Sequence, residues 1–405
     1  MRFASLLLAL LLIPSVIKAE PKQGVFPISF WCAPTTRFTT LERYREIKEA
    51  GFTHVFPPCS GSTVELNKMI LDLCQQVGLK AYISDSRIPT ALAGDASKAA
   101  LDAMIRDYAK YPALAGYFIC DEPWGGAFPG LAGVVNYLKE KDSQHPGYIN
   151  LLPNYAPANV YDAPNYQQHV RNYATIVKPF AISYDHYHMG TGGDRPGFFN
   201  NLSDVRTVSL ESNIPFWQIV LVVQHGGYRN LTEGELRYEA MQTLAYGGKG
   251  LMWFTYWSPA ESDKSLVWKH AMINEDGSHD PHYAMVQKIN RDLQAIGTEL
   301  LNATSTAVFQ TGKLPPGGTA APKDSPIQFV YEQPNATIGL FKSEKHTLAL
   351  VANQDYKTAV RAGLQIVGGM EQFDPDTRSW NAVPIPASLT HMISLPPGDA
   401  VLLRW

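Results

Sequence analysis

The chain has little net charge and no concentrated block of either sign. Its 405 residues carry 34 Lys and Arg against 37 Asp and Glu, a formal net charge of -3. No basic field is present to hold a phosphate backbone, and no Lys/Arg run suits an anionic membrane surface. Nucleic acid is therefore not an expected partner. Past the N-terminal segment, no apolar stretch reaches the roughly 18 residues of a membrane span. Internal repeats and low-complexity linkers are absent. No Gly-rich loop follows the first apolar segment, which weighs against a dinucleotide-binding open sheet. Cysteine is sparse: Cys32, Cys59, Cys74 and Cys120. Their spacing matches no zinc motif. Three pairings are possible, and buried free thiols are an equal alternative in a domain large enough to fold without staples.

What is present points to a large packed core. Hydrophobic residues make up 45% of the chain and charged residues 18%, so global disorder is not expected. At the N-terminus Arg2, the apolar run Leu6 to Ile13 and the sequence Ile17-Lys18-Ala19 read as a signal peptide over residues 1–19. The expected destination is secreted or periplasmic. Aromatics are plentiful, with 20 Tyr, 17 Phe and 8 Trp. Amphipathic rings suit the flat C–H faces of sugars, although large cores consume them too.

From Phe26 to about Ser305 the sequence alternates strand-like and helix-like segments. Helical spacing over 64–77 stops at Gly78, and Thr232 with Glu235 has capping-box spacing before another helix. Eight such units predict a parallel sheet with right-handed crossovers, closed as a (β/α)8 TIM barrel over residues 20–305. After Thr306 short strand candidates alternate with turns such as Pro315-Pro316-Gly317-Gly318. Residues 306–405 are expected to form a C-terminal β-sandwich-like domain of antiparallel strands.

Reactive groups in such barrels sit at the C-terminal strand ends. That rule selects Trp31, Asp85, Arg87, Asn150, Gln224, His225, Tyr256, Trp257 and Glu261 as rim residues. The fourth strand gives the strongest signal: Gly116-Tyr117-Phe118-Ile119-Cys120-Asp121-Glu122-Pro123. A carboxylic acid that is desolvated or beside a second one has a raised pKa and can donate a proton near neutral pH. The competing reading has Asp121 and Glu122 capping the next helix or pairing with Arg87. The sixth strand leads straight to Asp185, His186, Tyr187 and His188.

The phrase Gly116–Pro123 resembles the Asn/Asp-Glu-Pro motif of the clan of (β/α)8 glycoside hydrolases that carry the acid/base Glu on strand four, notably its β-galactosidase-like members. The likeness covers roughly residues 25–305. It implies hydrolysis of O-glycosidic bonds of a poly- or oligosaccharide, Glu122 as general acid/base, and no cofactor. Asp121 would stand where the clan often has a sugar-binding Asn. Trp31, Trp124, Trp253, Tyr256 and Trp257 would supply stacking walls, with Trp253 alternatively in the core, and Tyr187, Gln224, His225 and Glu261 would be further substrate contacts. One departure matters. The clan's strand-seven nucleophile is missing, since Gln218 and Gln224 are neutral amides. Asp185 is the substitute second carboxylate, as base or nucleophile.

Two rival readings stand beside this one. A carbohydrate-binding protein on a degenerate barrel would explain the missing nucleophile. A metal-dependent hydrolase could use His186, His188 and His225, but strand one ends in Trp31-Cys32 and offers no His.

Overall fold

The computed structural model describes residues 24–405 apart from positions 332, 366, 367, 385 and 387. The expected signal peptide over 1–19 lies outside the described residues. Eight parallel strands alternate with eight helices. The strands are β1 Ile28–Phe30, β2 His54–Val55, β3 Lys80–Ile83, β4 Leu114–Asp121, β5 Gly147–Leu151, β6 Ile182–Asp185, β7 Phe216–Leu221 and β8 Leu251–Phe254. The helices are α1 Leu41–Glu49, α2 Val64–Val77, α3 Gly94–Tyr108, α4 Phe128–Lys141, α5 Tyr166–Ile176, α6 Phe198–Ser212, α7 Glu233–Ala245 and α8 Pro281–Leu301. From β2 to β8 each strand pairs with the next in sequence, and β1 pairs with β8. The ring closes where Thr53 N donates to Ile28 O at 2.9 Å and Ser29 Oγ to His54 O at 3.1 Å. This is a (β/α)8 barrel.

Local chemistry sets the helix ends. The hydroxyls of Thr40 and Thr63 cap α1 and α2, and Gly78 stops α2 in the left-handed region at φ 71°. Thr232 and Glu235 form the expected capping box on α7. Period-two alternation divides the barrel strands. Phe56, Tyr82, Phe118, Tyr148, Trp217 and Met252 fill the interior. Ile83, Tyr117, Ile149, Tyr184, Val220 and Trp253 face the helices. Trp253 donates its indole N–H to Asn290 on α8 at 2.8 Å.

A C-terminal antiparallel β domain follows. Its strands are β9 Thr304–Thr311, β10 Ala336–Lys342, β11 Thr347–Asn353, β12 Val360–Gln365, β13 Glu371–Asp374, β14 Ser379–Ala382, β15 Thr390–Leu395 and β16 Ala400–Arg404. Six form one sheet in the order β9-β10-β11-β16-β13-β14. The β12–β15 pair covers one face through Leu364, Ile393 and Leu395 on Ile338, Val351 and Leu403. The other face contributes Phe341, Leu348, Leu350 and Leu402 to the barrel's own core. The approach is close at Gly339, where a Cβ would come within 2.1 Å of the Ala245 carbonyl of α7. A single bridge joins Phe329 to Leu364 beside the β12–β15 pair. The strands at 371–374, 379–382 and 390–395 were not anticipated.

Candidate active site

The irregularities of β4 create the site. Tyr117 and Phe118 pair with Gly147 and Tyr148, but Cys120 pairs with Ile149, so Ile119 is an extra residue. Such a bulge reverses the alternation beyond it. Phe118 points into the barrel, Ile119 and Cys120 pack toward the helices, and Asp121 returns to the inside. Glu122 then adopts φ 44°, a left-handed conformation unusual for a residue with a Cβ. Consecutive residues on a regular strand face opposite sides. Here both carboxylates reach the same cavity.

That cavity, of about 200 Å³, lies at the C-terminal mouth of the barrel. Asp121 and Glu122 are open to solvent through it. Asp185, at the end of β6, is 3% exposed and lies beneath them. Asn150 of β5 stands between, donating from one amide nitrogen to Asp121 Oδ1 at 3.1 Å and to Asp185 Oδ1 at 2.8 Å. Its own oxygen accepts from Ser183 Oγ at 3.1 Å, and Ser183 meets the Tyr148 hydroxyl at 2.5 Å. The Glu122 and Asp185 side chains meet in the cavity, near enough for each to shift the other's titration. Trp31, Tyr187, Ile219 and Phe254 complete the lining, with the Tyr187 and Phe254 rings stacked at 5.2 Å.

No cation lines this cavity. The low-dielectric walls push the Asp121 carboxyl up to about 7, with the Glu122 charge adding to the effect and the Asn150 amide opposing it. Burial, then the charges of Glu122 and Asp121, raise Asp185 well above the carboxylate range. Desolvation also raises Glu122, while the Asp185 contact works the other way. Like charges this close cannot all ionise, so the cluster retains protons near neutral pH. It can deliver a proton to a ligand and still present a carboxylate.

The structure brings together five of the residues expected at the site: Glu122, Asp185, Asp121, Trp31 and Tyr187. The others lie elsewhere. Trp124 is 58% exposed and folds over Gly126, outside the cavity lining. Gln224 and His225 line a neighbouring depression, where His225 stacks on Trp268 at 4.5 Å and the Gln224 backbone pairs with Lys269. Tyr256 and Trp257 are buried on the helix side of the barrel. Tyr256 packs on Phe30 at 4.6 Å and Trp257 on Phe38 at 4.7 Å. The reason is that β8 ends at Phe254, and the chain beyond it follows the outer side of β1, with Tyr256 N donating to Trp31 O. Glu261 is exposed on a short 3-10 turn.

Arg87 pairs with Asp85 at 2.7 Å and Asp107 at 2.8 Å, and with neither β4 carboxylate. The three loop histidines diverge: His186 bonds Asn201, His188 faces Glu239, and His225 meets the Val223 carbonyl. Among the described residues no group of three or more His, Cys, Asp or Glu is arranged to hold a metal ion. Ile219 and Phe254 were missing from the expected set, and Asn150 was expected only as a rim residue without a role. Asn150 was legible as a polar strand end; the other two were not. A disulfide joins Cys32 to Cys59, while Cys74 and Cys120 are free.

Fold and site together define a β/α barrel with a carboxylate cluster at its C-terminal mouth and an antiparallel β domain behind it. The chain is similar to a GH27 β-L-arabinopyranosidase from Geobacillus stearothermophilus, with TM-score 0.51, 10% identity, and 94% of this chain and 96% of that chain covered. It is also similar to a glucosidase from Croceicoccus marinus, with TM-score 0.50, 11% identity, and 94% and 95% covered. At such identity the likeness is one of fold. No family model and no curated protein matches the sequence.

Proposed function

We propose that this chain is an exported glycoside hydrolase that cleaves O-glycosidic bonds, with Glu122 protonating the leaving oxygen and Asp185 as the second carboxyl group. One observation carries the reading: three carboxyl groups from β4 and β6 share a cavity without a cation. Glycosidic cleavage needs one protonated acid and one carboxylate about the same bond. The similar folds of a glucosidase and an arabinopyranosidase support a carbohydrate substrate. The Cys32–Cys59 bond fits an oxidising compartment, and no described helix is long and apolar enough to cross a membrane.

The strand-seven position is not needed in this scheme. Ile219 of β7 lines the cavity, and Gln218 is buried with its oxygen accepting from Thr243 at 2.6 Å. The second carboxyl comes from β6. Retaining enzymes hold their two carboxyl groups about 5–5.5 Å apart and inverting ones about 6.5–9.5 Å, so the Glu122–Asp185 separation with a sugar bound decides the stereochemical outcome.

The test is hydrolysis of a panel of oligosaccharides and glycosyl fluorides by wild type and by Glu122→Gln and Asp185→Asn. Glu122→Gln should lose oligosaccharide hydrolysis while keeping most fluoride turnover, Asp185→Asn should lose both, and both variants should keep binding. A wild type that binds glycans and cleaves none would establish the binding-protein reading instead.

A further inference from the structure

A second chamber of about 280 Å³ borders the carboxylate cavity, and Trp31 and Asp121 line both. The loop between β2 and α2 builds the new wall with Phe56, Pro57, Pro58 and Cys59, and Phe118 of β4 forms the floor. Phe56 stacks on Trp31 at 5.8 Å and 25°, and Phe118 meets Trp31 edge-on at 5.3 Å. The Cys32–Cys59 disulfide ties this loop to the end of β1, one residue from Trp31. The wall is therefore covalently fixed. Ser62 adds a buried hydroxyl with no hydrogen-bond partner.

Size and charge narrow the ligand. Small-molecule sites run to about 300–1,000 Å³, so the carboxylate cavity alone is small and the two chambers together are of ordinary size. Neither lining contains a Lys or Arg to pair with an anionic sugar. Rings and prolines with an occasional hydroxyl suit the apolar face of an uncharged sugar.

We propose that the substrate spans both chambers. One sugar ring lies over the carboxyl groups, and the leaving group is a second uncharged sugar ring held against Trp31, Pro57 and Phe118. The scissile bond lies at the Trp31–Asp121 seam. Its C–O bond breaks, the oxygen leaves on the second ring with the acid's proton, and water supplies hydroxide to the anomeric carbon and a proton to restore the acid. This deepens the glycosidase reading and rests on it.

A selectivity ratio tests it. The probes are glucosyl, galactosyl, fucosyl and arabinosyl fluorides of both anomers, and disaccharides and methyl glycosides of whichever glycone reacts. Fluoride needs no second chamber. Ser62→Trp, which fills that chamber, should lower the disaccharide-to-fluoride ratio of kcat/KM at least about tenfold, because remote binding contributes to the transition state. An unchanged ratio overturns the proposal. Wild type alone gives a second reading: disaccharides should exceed methyl glycosides at least about tenfold in kcat/KM, and equal values overturn the proposal. Turnover of no probe at all would sink the glycosidase assignment, an outcome distinct from a flat ratio.

Discussion

Replacing Glu122 by Gln isolates the proton on which the chemistry depends. The amide has nearly the same size, so the buried Asp185 beneath keeps its neighbour. The backbone strain at φ 44° is unchanged by the substitution. Melting temperature should therefore stay close to wild type. What is lost is the acid. General acid catalysis contributes about 10²–10⁴-fold. Glu122 is open to solvent, so water can partly replace it. The expected loss lies in the lower half of that range, about 10²–10³-fold in kcat/KM, or about 2.7–4.1 kcal/mol of barrier. It should appear with sugar or alkyl leaving groups, whose oxygens need a proton. With glycosyl fluorides it should shrink to less than about tenfold, since fluoride departs with little assistance. Wild type should lose activity as pH rises through the raised pKa of its acid, and the variant should lack that alkaline limb. Steady-state kinetics across leaving groups and pH makes the comparison. Equal losses with fluoride and with disaccharide would refute the assignment of Glu122 as proton donor. So would a leaving-group dependence confined to Asp121→Asn.

The Asn150 amide holds both Asp121 and Asp185 down. Asn150→Ala should let both rise, moving the acidic limb of the pH–rate profile to higher pH; a profile that stays put argues against any part for Asp121 and Asp185. Replacing Cys32 and Cys59 with Ser removes a bridge across 27 residues and should cost about 2–4 kcal/mol in denaturant unfolding, with the disaccharide-to-fluoride ratio falling as the second wall loosens. Glu239 is fully buried, with Oε1 3.4 Å from His188 Nδ1, and burial drives both toward their neutral forms. A carboxyl whose folded pKa is raised stabilises fully below its unfolded pKa and loses that contribution as pH rises toward the folded value. Glu239→Gln cannot ionise, so its melting temperature relative to wild type should climb between pH 5 and pH 8; a constant difference would mean that Glu239 is ionised in the folded protein.

The barrel was legible because its signals are local. Gly78 ends α2 wherever the rest of the chain goes, and the Thr232–Glu235 box starts α7 from four adjacent residues. The rule about strand ends then led to Asp121, Glu122 and Asp185 without any contact being known. Tyr256 and Trp257 were misplaced by the same rule, which put them at a strand end, whereas the strand stops at Phe254. Which side a residue takes after a strand stops depends on the neighbouring chain, here β1, and leaves no local trace. The Cys32–Cys59 pairing is also a tertiary fact. The strands at 371–374 and 379–382 are short, polar and set by pairing with β16 and each other, so they carry no strong pattern of their own.

The least legible feature is the one on which the site depends most. A regular β4 would place Phe118 and Cys120 inside and turn Asp121 toward the helices. The extra residue at Ile119 reverses that assignment, and the left-handed turn at Glu122 brings the next carboxyl to the same side. Each irregularity is unfavourable by itself, about 1–3 kcal/mol for a non-glycine residue held at such a φ. The surrounding bonds restrain it: Glu122 N donates to Asn150 O at 2.9 Å, and Asp121 pairs in register with Asn150. Asn150 therefore fixes the β4 terminus through its backbone while its side chain holds Asp121 and Asp185. An acid at that position would add another negative charge to the cluster, and a base would neutralise it and release its protons. A neutral amide is the residue type that can bridge two carboxyl groups and leave them protonated enough to act.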